Sequence, residues 1–198
     1  MRNASGTGTE EVLFAPPARS FLTDWSPDGR HLLFMLNGGA TRTDIWSYGV
    51  ERRTPTSLLS SGFNEGWATF SPDGKWMAYV SDEDQQRQVY VRSFPDGDEK
   101  SQISTGGGGQ PQWQRDGQEL FYIAPDNTLM AVGIHAAAAR ITARAPQALF
   151  PANVEQGITI RNQYAVPADG QRFLILSAVD RSASPIVAVL NWRGLIKK

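Results

Sequence analysis

The sequence contains no cysteine and only two histidines, His31 and His135. Without thiols there is no disulfide, no thiol nucleophile, no iron–sulfur cluster and no cysteine-ligated zinc. An excess of one charge is lacking as well. The 19 Lys and Arg stand against 20 Asp and Glu, for a formal charge of −1, whereas a general nucleic-acid binder carries a basic excess. No apolar run exceeds five residues, Leu32–Leu36 and Ile186–Leu190 being examples, and a bilayer-spanning helix needs about 20. No nucleic-acid partner and no membrane insertion by this chain are therefore expected. The polar start, Met1–Glu10, lacks the apolar stretch of a secretory signal. Composition leaves the compartment open.

What the sequence does have is a repeat. Asp-Gly recurs at Asp28-Gly29, Asp73-Gly74, Asp116-Gly117 and Asp169-Gly170, at intervals of 45, 43 and 53 residues. Three residues before each Asp stand Trp25, Phe70, Trp113 and Val166; four after stand Leu32, Met77, Leu120 and Phe173; six after stand Phe34, Tyr79, Tyr122 and Ile175. In Ser26-Pro27-Asp28-Gly29 and Ser71-Pro72-Asp73-Gly74, Pro presets φ near −65°, Asp accepts from nearby amides and Gly takes a positive φ. Such a turn between apolar runs predicts a hairpin. A further strand-forming run follows in each copy (Ile45-Trp46, Val89–Val91, Leu129–Val132, Ile186–Leu190). A second turn, Phe94–Gly97, separates Val89–Arg92 from Gln102–Ser104.

One copy thus reads as four short antiparallel strands, the content of a β-propeller blade of about 40–45 residues. The expected fold is all-β: a propeller of about four four-stranded blades, either a closed four-bladed ring or a partial propeller. The boundaries read as a tail over 1–9 and blades over about 18–61, 62–105, 108–150 and 158–198. Glu11–Phe14 reads as an outermost strand that completes the last blade and closes the ring; the competing reading is an open arc with exposed edges. Trp25, Trp46, Trp76 and Trp113 read as core between sheets, His135–Arg140 as a turn and Phe150–Asn162 as a long loop.

Asp24–Gly29 and Phe70–Tyr79 resemble the repeat of TolB-like, WD-repeat-like bacterial propellers. Val89–Pro95, Asp116–Tyr122 and Pro185–Trp192 resemble, more narrowly, the C-terminal propeller carried by many bacterial serine/threonine protein kinases, which are often membrane-tethered. The resemblance implies a non-catalytic binding or sensory module with a protein or peptide partner, as part of a kinase-associated or TolB-like protein. It also implies more blades than the four copies found. No kinase motif is present (neither His-Arg-Asp nor Asp-Phe-Gly occurs), so phosphoryl transfer is not assigned. An accessory or degenerate domain of a propeller-bearing hydrolase, or a gene fragment, is the alternative.

Chemistry-bearing patterns are scarce. Gly106–Gly109 is followed by Gln110-Pro111 rather than Lys-Ser/Thr, so it reads as a flexible connector and not a phosphate cradle. Asp82-Glu83-Asp84 lacks the staggered oxygen pattern of a calcium loop, and no Gly-x-Ser-x-Gly elbow occurs. No catalytic residue, cofactor or metal ligand is assigned. Propeller geometry places a binding face on the loops before the innermost strands and after the second strands. Those loops carry the candidate interaction residues Asn64, Glu65, Asp82, Arg87, Arg161 and Asn162.

Overall fold

A computed structural model describes residues 9–39, 42–137, 140–154, 162–168, 170–177 and 186–190. They form four antiparallel sheets in chain order. The first is β1 (Arg19–Trp25), β2 (His31–Gly39), β3 (Arg42–Gly49) and β4 (Thr54–Leu59); the second is β5 (Glu65–Phe70), β6 (Trp76–Ser81), β7 (Gln88–Ser93) and β8 (Lys100–Gln102). The third holds β9 (Gly109–Trp113), β10 (Glu119–Ile123), β11 (Thr128–Ala137), β12 (Arg140–Ala143) and β13 (Gln147–Pro151). The fourth is β14 (Tyr164–Ala165), β15 (Arg172–Leu176) and β16 (Ile186–Leu190).

In the third sheet β12 pairs with one half of β11, Ile134–Ala137, and β13 with the other, Thr128–Ala131. The two are one outer strand interrupted at Arg144–Pro146, where proline removes a ladder donor. Phe150 therefore belongs to a strand and not to the long loop expected of it. The alanine-rich stretch after His135 continues β11 to Ala137 and returns at Arg140, so a reversal occurs where one was expected. The rest of the expected loop, residues 155–161, lies outside the described residues.

In the first three copies the repeated turn is braced by its own aspartate. Ser26 Oγ donates to Asp28 Oδ1 at 2.6 Å, as Ser71 Oγ does to Asp73 Oδ1 at 2.6 Å. The same Oδ1 accepts the backbone N–H two residues on, from Arg30 and Lys75. In the third copy Asp116 Oδ1 accepts the Gln118 N–H at 2.9 Å. Gly29, Gly74 and Gly117 have φ of 74°, 71° and 73°, a conformation open to Gly at little cost. Each aspartate braces its own hairpin, and the hairpin joins an innermost strand to its neighbour.

Three apolar cores join the four sheets in a row. Leu33, Ile45, Phe70, Met77 and Tyr79 lie between the first and second. Trp76, Val80, Val89, Leu120 and Tyr122 lie between the second and third. Phe121, Leu129, Tyr164, Phe173 and Ile175 lie between the third and fourth. Sheets of four short strands are too thin to hold a core alone and become stable by stacking. Among the described residues no such cluster joins the fourth sheet to the first. The faces turned away from the stack keep Leu22 and Trp25 exposed on the first sheet and Leu174 and Leu176 exposed on the fourth.

Two expectations are corrected here. Residues 11–14 form no strand and do not join the last blade. Phe14 stacks on Tyr48 at 5.5 Å and tilts against Phe34 at 5.8 Å. Tyr48 Oη donates to the Leu13 carbonyl at 2.7 Å, and Glu11 pairs with Arg53. The segment covers the outer face of the first sheet, because Phe34 and Tyr48 project there away from the second sheet and need an apolar neighbour. Trp25 and Trp46 are on that same outer face, paired with Leu32 and Phe34, so of the four tryptophans only Trp76 and Trp113 pack between sheets.

The glycine run also differs from a flexible connector. The Gly107 N–H donates to Gln88 Oε1 at 3.0 Å, and a Cβ at Gly108 would sit 2.7 Å from the Tyr122 ring. The run permits backbone to pass directly against the second core.

Candidate functional site

The loops that enter the innermost strands meet the loops that leave the second strands on one rim of the stack. Glu65 opens β5 and pairs with Ser81, the last residue of β6. That pairing brings Asn64 beside Asp82. The Asn64 N–H donates to Asp82 Oδ1 at 2.8 Å and Asn64 Nδ2 to Asp82 Oδ2 at 2.6 Å. A parallel bridge between Thr43 and Asn64 ties this point to the first sheet and so brings Arg42 close. Burial works against ionisation of Asp82, but the two Asn64 bonds, with Arg42 and Arg87 nearby, outweigh it and hold the carboxyl below its usual range.

Glu65 is the opposite case. It is 3% exposed, and its Oε1 accepts from Ser61 Oγ. Its Oε2 has no partner among the described residues. Burial raises its pKa, Ser61 works against the rise, and the carboxylates of Asp44, Asp82 and Glu83 add to it. A carboxyl with a raised pKa in the fold binds its proton more tightly there than in the unfolded chain. Its stabilising contribution is complete below the unfolded value of 4.5 and is lost as pH rises through the raised one. The Glu65→Gln variant keeps an acceptor for Ser61 and cannot ionise. Its melting temperature relative to the parent should rise as pH increases above 4.5 and level off once the folded carboxyl has ionised; a difference constant with pH contradicts this account.

Arg87 is exposed, with its guanidinium 5.5 Å from the centre of the Trp67 ring, a cation–π arrangement. The remaining acids of the loop each have a partner within the protein: Glu83 pairs with Lys100, and Tyr90 Oη donates to Asp84 Oδ2 at 2.6 Å. Asp82, Glu83 and Asp84 therefore face three different groups. Among the described residues no three His, Cys, Asp or Glu side chains are placed to hold a metal, and no helix is long and apolar enough to cross a membrane.

The structure thus gathers Asn64, Glu65, Asp82 and Arg87 on one rim. Asn162 is apart from them. It is exposed and lines a cavity of about 340 Å³ with Asp24, Trp25 and Gln112 at the innermost strands. Arg161 lies outside the described residues. Sequence reasoning missed Arg42, Ser61 and Trp67. Arg42 and Trp67 reach the rim only through contacts between and within sheets, which leave no local pattern. Ser61, four residues before Glu65, carried a readable signal as a short-range hydroxyl donor.

A family model for the TolB β-propeller domain matches residues 6–181. The chain belongs to this family. This TolB-type propeller also superposes on solved structures. TolB from Acinetobacter baumannii matches with a TM-score of 0.65 and 17% identity, over 89% of this chain and 42% of that one. A protein of Agrobacterium tumefaciens described as TolB matches with a TM-score of 0.56 and 20% identity, over 74% and 55%. An oligogalacturonate lyase solved in complex with manganese matches at 0.60 and 14% identity, over 88% and 48%. The TolB-type chain spans about half the length of these proteins. At such identities the likeness is one of fold.

Proposed function

We propose that this TolB-type propeller is a non-catalytic binding or sensory module that engages a protein or peptide partner through the rim that Asn64, buried Glu65 and Asp82 build beside exposed Arg87. The stretches resembling kinase-borne propellers make a place in a kinase-associated or TolB-like protein the more specific form of this reading. The observation that supports it is the rim's construction. The Asn64–Asp82 clamp and the bridge to Thr43 hold two adjacent loops in one geometry, so a partner meets charged heads of both signs with little ordering left to do. Asp82 itself is committed to Asn64, so the clamp braces the loops rather than presenting a free acid for chemistry.

The reading is tested by placing a photo-reactive benzoylphenylalanine at Arg87, and separately at exposed Glu51 on the opposite face, in the native cell. A discrete adduct is expected from position 87 alone, and Asp82→Lys should abolish it. Equal labelling from both positions overturns the reading, as does turnover of oligogalacturonate that Asp82→Ala removes.

A further inference from the structure

The repeat gives every sheet two different sides. Three residues before the turn aspartate, and four and six after it, stand Phe70, Met77 and Tyr79 of the second sheet, which pack in the core shared with the first. Their equivalents Trp113, Leu120 and Tyr122 pack toward the second sheet, and Val166, Phe173 and Ile175 toward the third. These positions meet the preceding sheet. Five and seven residues after the aspartate the reverse holds. Ala78 and Val80 pack toward the third sheet, and Phe121 and Ile123 toward the fourth. Leu33 packs toward the second, and the Met35 sulfur accepts the Trp67 N–H at 3.3 Å. These positions meet the following sheet.

Each end sheet carries one set that meets no other sheet among the described residues. In the first sheet it is the preceding-side set, Trp25, Leu32 and Phe34; in the fourth it is the following-side pair, Leu174 and Leu176. Trp25 is 51% exposed and Leu22, on the same innermost strand, 67%, while Leu174 and Leu176 are 49% and 45% exposed. Of the large apolar side chains exposed among the described residues, only Phe63 lies away from these two faces and the segment lying on the first. Apolar exposure gathered in this way marks a contact surface. The segment before β1 covers Phe34 and Tyr48 and reaches Arg53, toward the outer strands, and leaves β1 open. Blades set radially spread apart toward their outer strands, so this segment fills the wide side of a joint and leaves the narrow side to a sheet.

We infer that a second copy of this chain covers both faces. The fourth sheet of each copy stacks on the first sheet of the other, and two copies of four sheets close one ring. The free faces are the two halves of the joint that the chain already makes three times within itself, so each copy offers what the other lacks. Two copies reach the length of the solved propellers of which one chain spans about half, and their sheets fall within the typical range of about four to eight blades. The contact is head to tail, and ring closure leaves neither face open. Leu176 stands where Met35 does in the first copy, and Leu22 where Trp67 does in the second, so the Met35–Trp67 contact places Leu176 against Leu22 of the other copy. A single chain keeps both faces open, and truncating Trp25 or Leu174 costs it little; in the dimer the same residues are covered. The joint does not involve the Arg87 rim and stands or falls independently of it.

Sedimentation of the full chain should show a concentration-dependent shift from 21.7 kDa to twice that mass. Because the chain has no cysteine, single substitutions locate the joint. Leu22→Cys mixed with Leu176→Cys should give a covalent dimer with bismaleimidoethane, several-fold more than either variant alone, a result that misfolding cannot produce. Leu174→Arg should weaken dimerisation by at least about tenfold, with an unchanged circular dichroism spectrum. A chain that stays at 21.7 kDa up to about 100 μM overturns the proposal, as does a series of masses growing beyond two copies. So does equal cross-linking of either variant with itself. A chain carrying both Leu22→Cys and Leu176→Cys that cross-links within itself overturns it too, because that chain closes its own four-bladed ring.

Discussion

Replacing Phe173 with alanine is expected to lower the stability of the protein by about 3–5 kcal/mol, the cost of emptying a closed aromatic site. Phe173 is 0% exposed. Its ring meets Phe121 edge-on at 4.9 Å and Phe150 at 5.8 Å, with Tyr164 at 6.5 Å. These neighbours come from the second strand and the interrupted outer strand of the third sheet and from the innermost strand of the fourth, so one side chain links the two sheets. The fourth sheet depends on that link more than the others do, because β14 is two residues long and adds little backbone pairing of its own. Urea unfolding would give the free energy. Amide exchange should show protection lost first along β15 while β6 stays protected. Leu174→Ala, one residue on but 49% exposed on the outer face, should cost less than about 1 kcal/mol. A loss that small at Phe173 itself would remove the third core from this description.

Trp76 and Trp25 provide the second large contrast. Trp76 is 4% exposed and packs with Val80, Leu120 and Tyr122 between the second and third sheets, whereas Trp25 is 51% exposed on the outer face of the first. Trp76→Ala should therefore cost about 3–5 kcal/mol and Trp25→Ala less than about 1 kcal/mol. Chemical denaturation of the two variants beside the parent measures both. Equal losses would mean that another sheet covers the outer face of the first in solution. That result would favour a closed ring over the open row of sheets seen among the described residues.

The four hairpins and their order were legible because each is written locally. A Pro-Asp-Gly, Arg-Asp-Gly or Ala-Asp-Gly turn with aromatic and aliphatic residues at matched offsets contains its own geometry, and the Asp28, Asp73 and Asp116 side chains bond within two residues of themselves. Part of the rim was legible for the same reason. Asn64, Glu65 and Asp82 sit at the ends of strands whose register the turns set. The misreadings share one cause. Glu11–Phe14 has the composition of a strand, and Trp25 and Trp46 that of a core, but whether such residues pair, cover a face or stay exposed depends on which sheet lies next to them. Gly106–Gly109 looks flexible in sequence because glycine is permissive. Its members Gly107 and Gly108 are closely packed in the fold because they meet Gln88, 19 residues before Gly107, and Tyr122, 14 residues after Gly108.

The amino-acid order alone therefore determined a tandem of antiparallel sheets and the face on which each loop emerges, since turn chemistry and strand alternation act over a few residues. The stacking of the sheets decided the rest: three cores for four sheets among the described residues, the raised proton affinity of Glu65 and the committed state of Asp82. Each of those depends on distance between residues far apart in the chain, and burial and electrostatic coupling are set by that distance and not by neighbours in sequence.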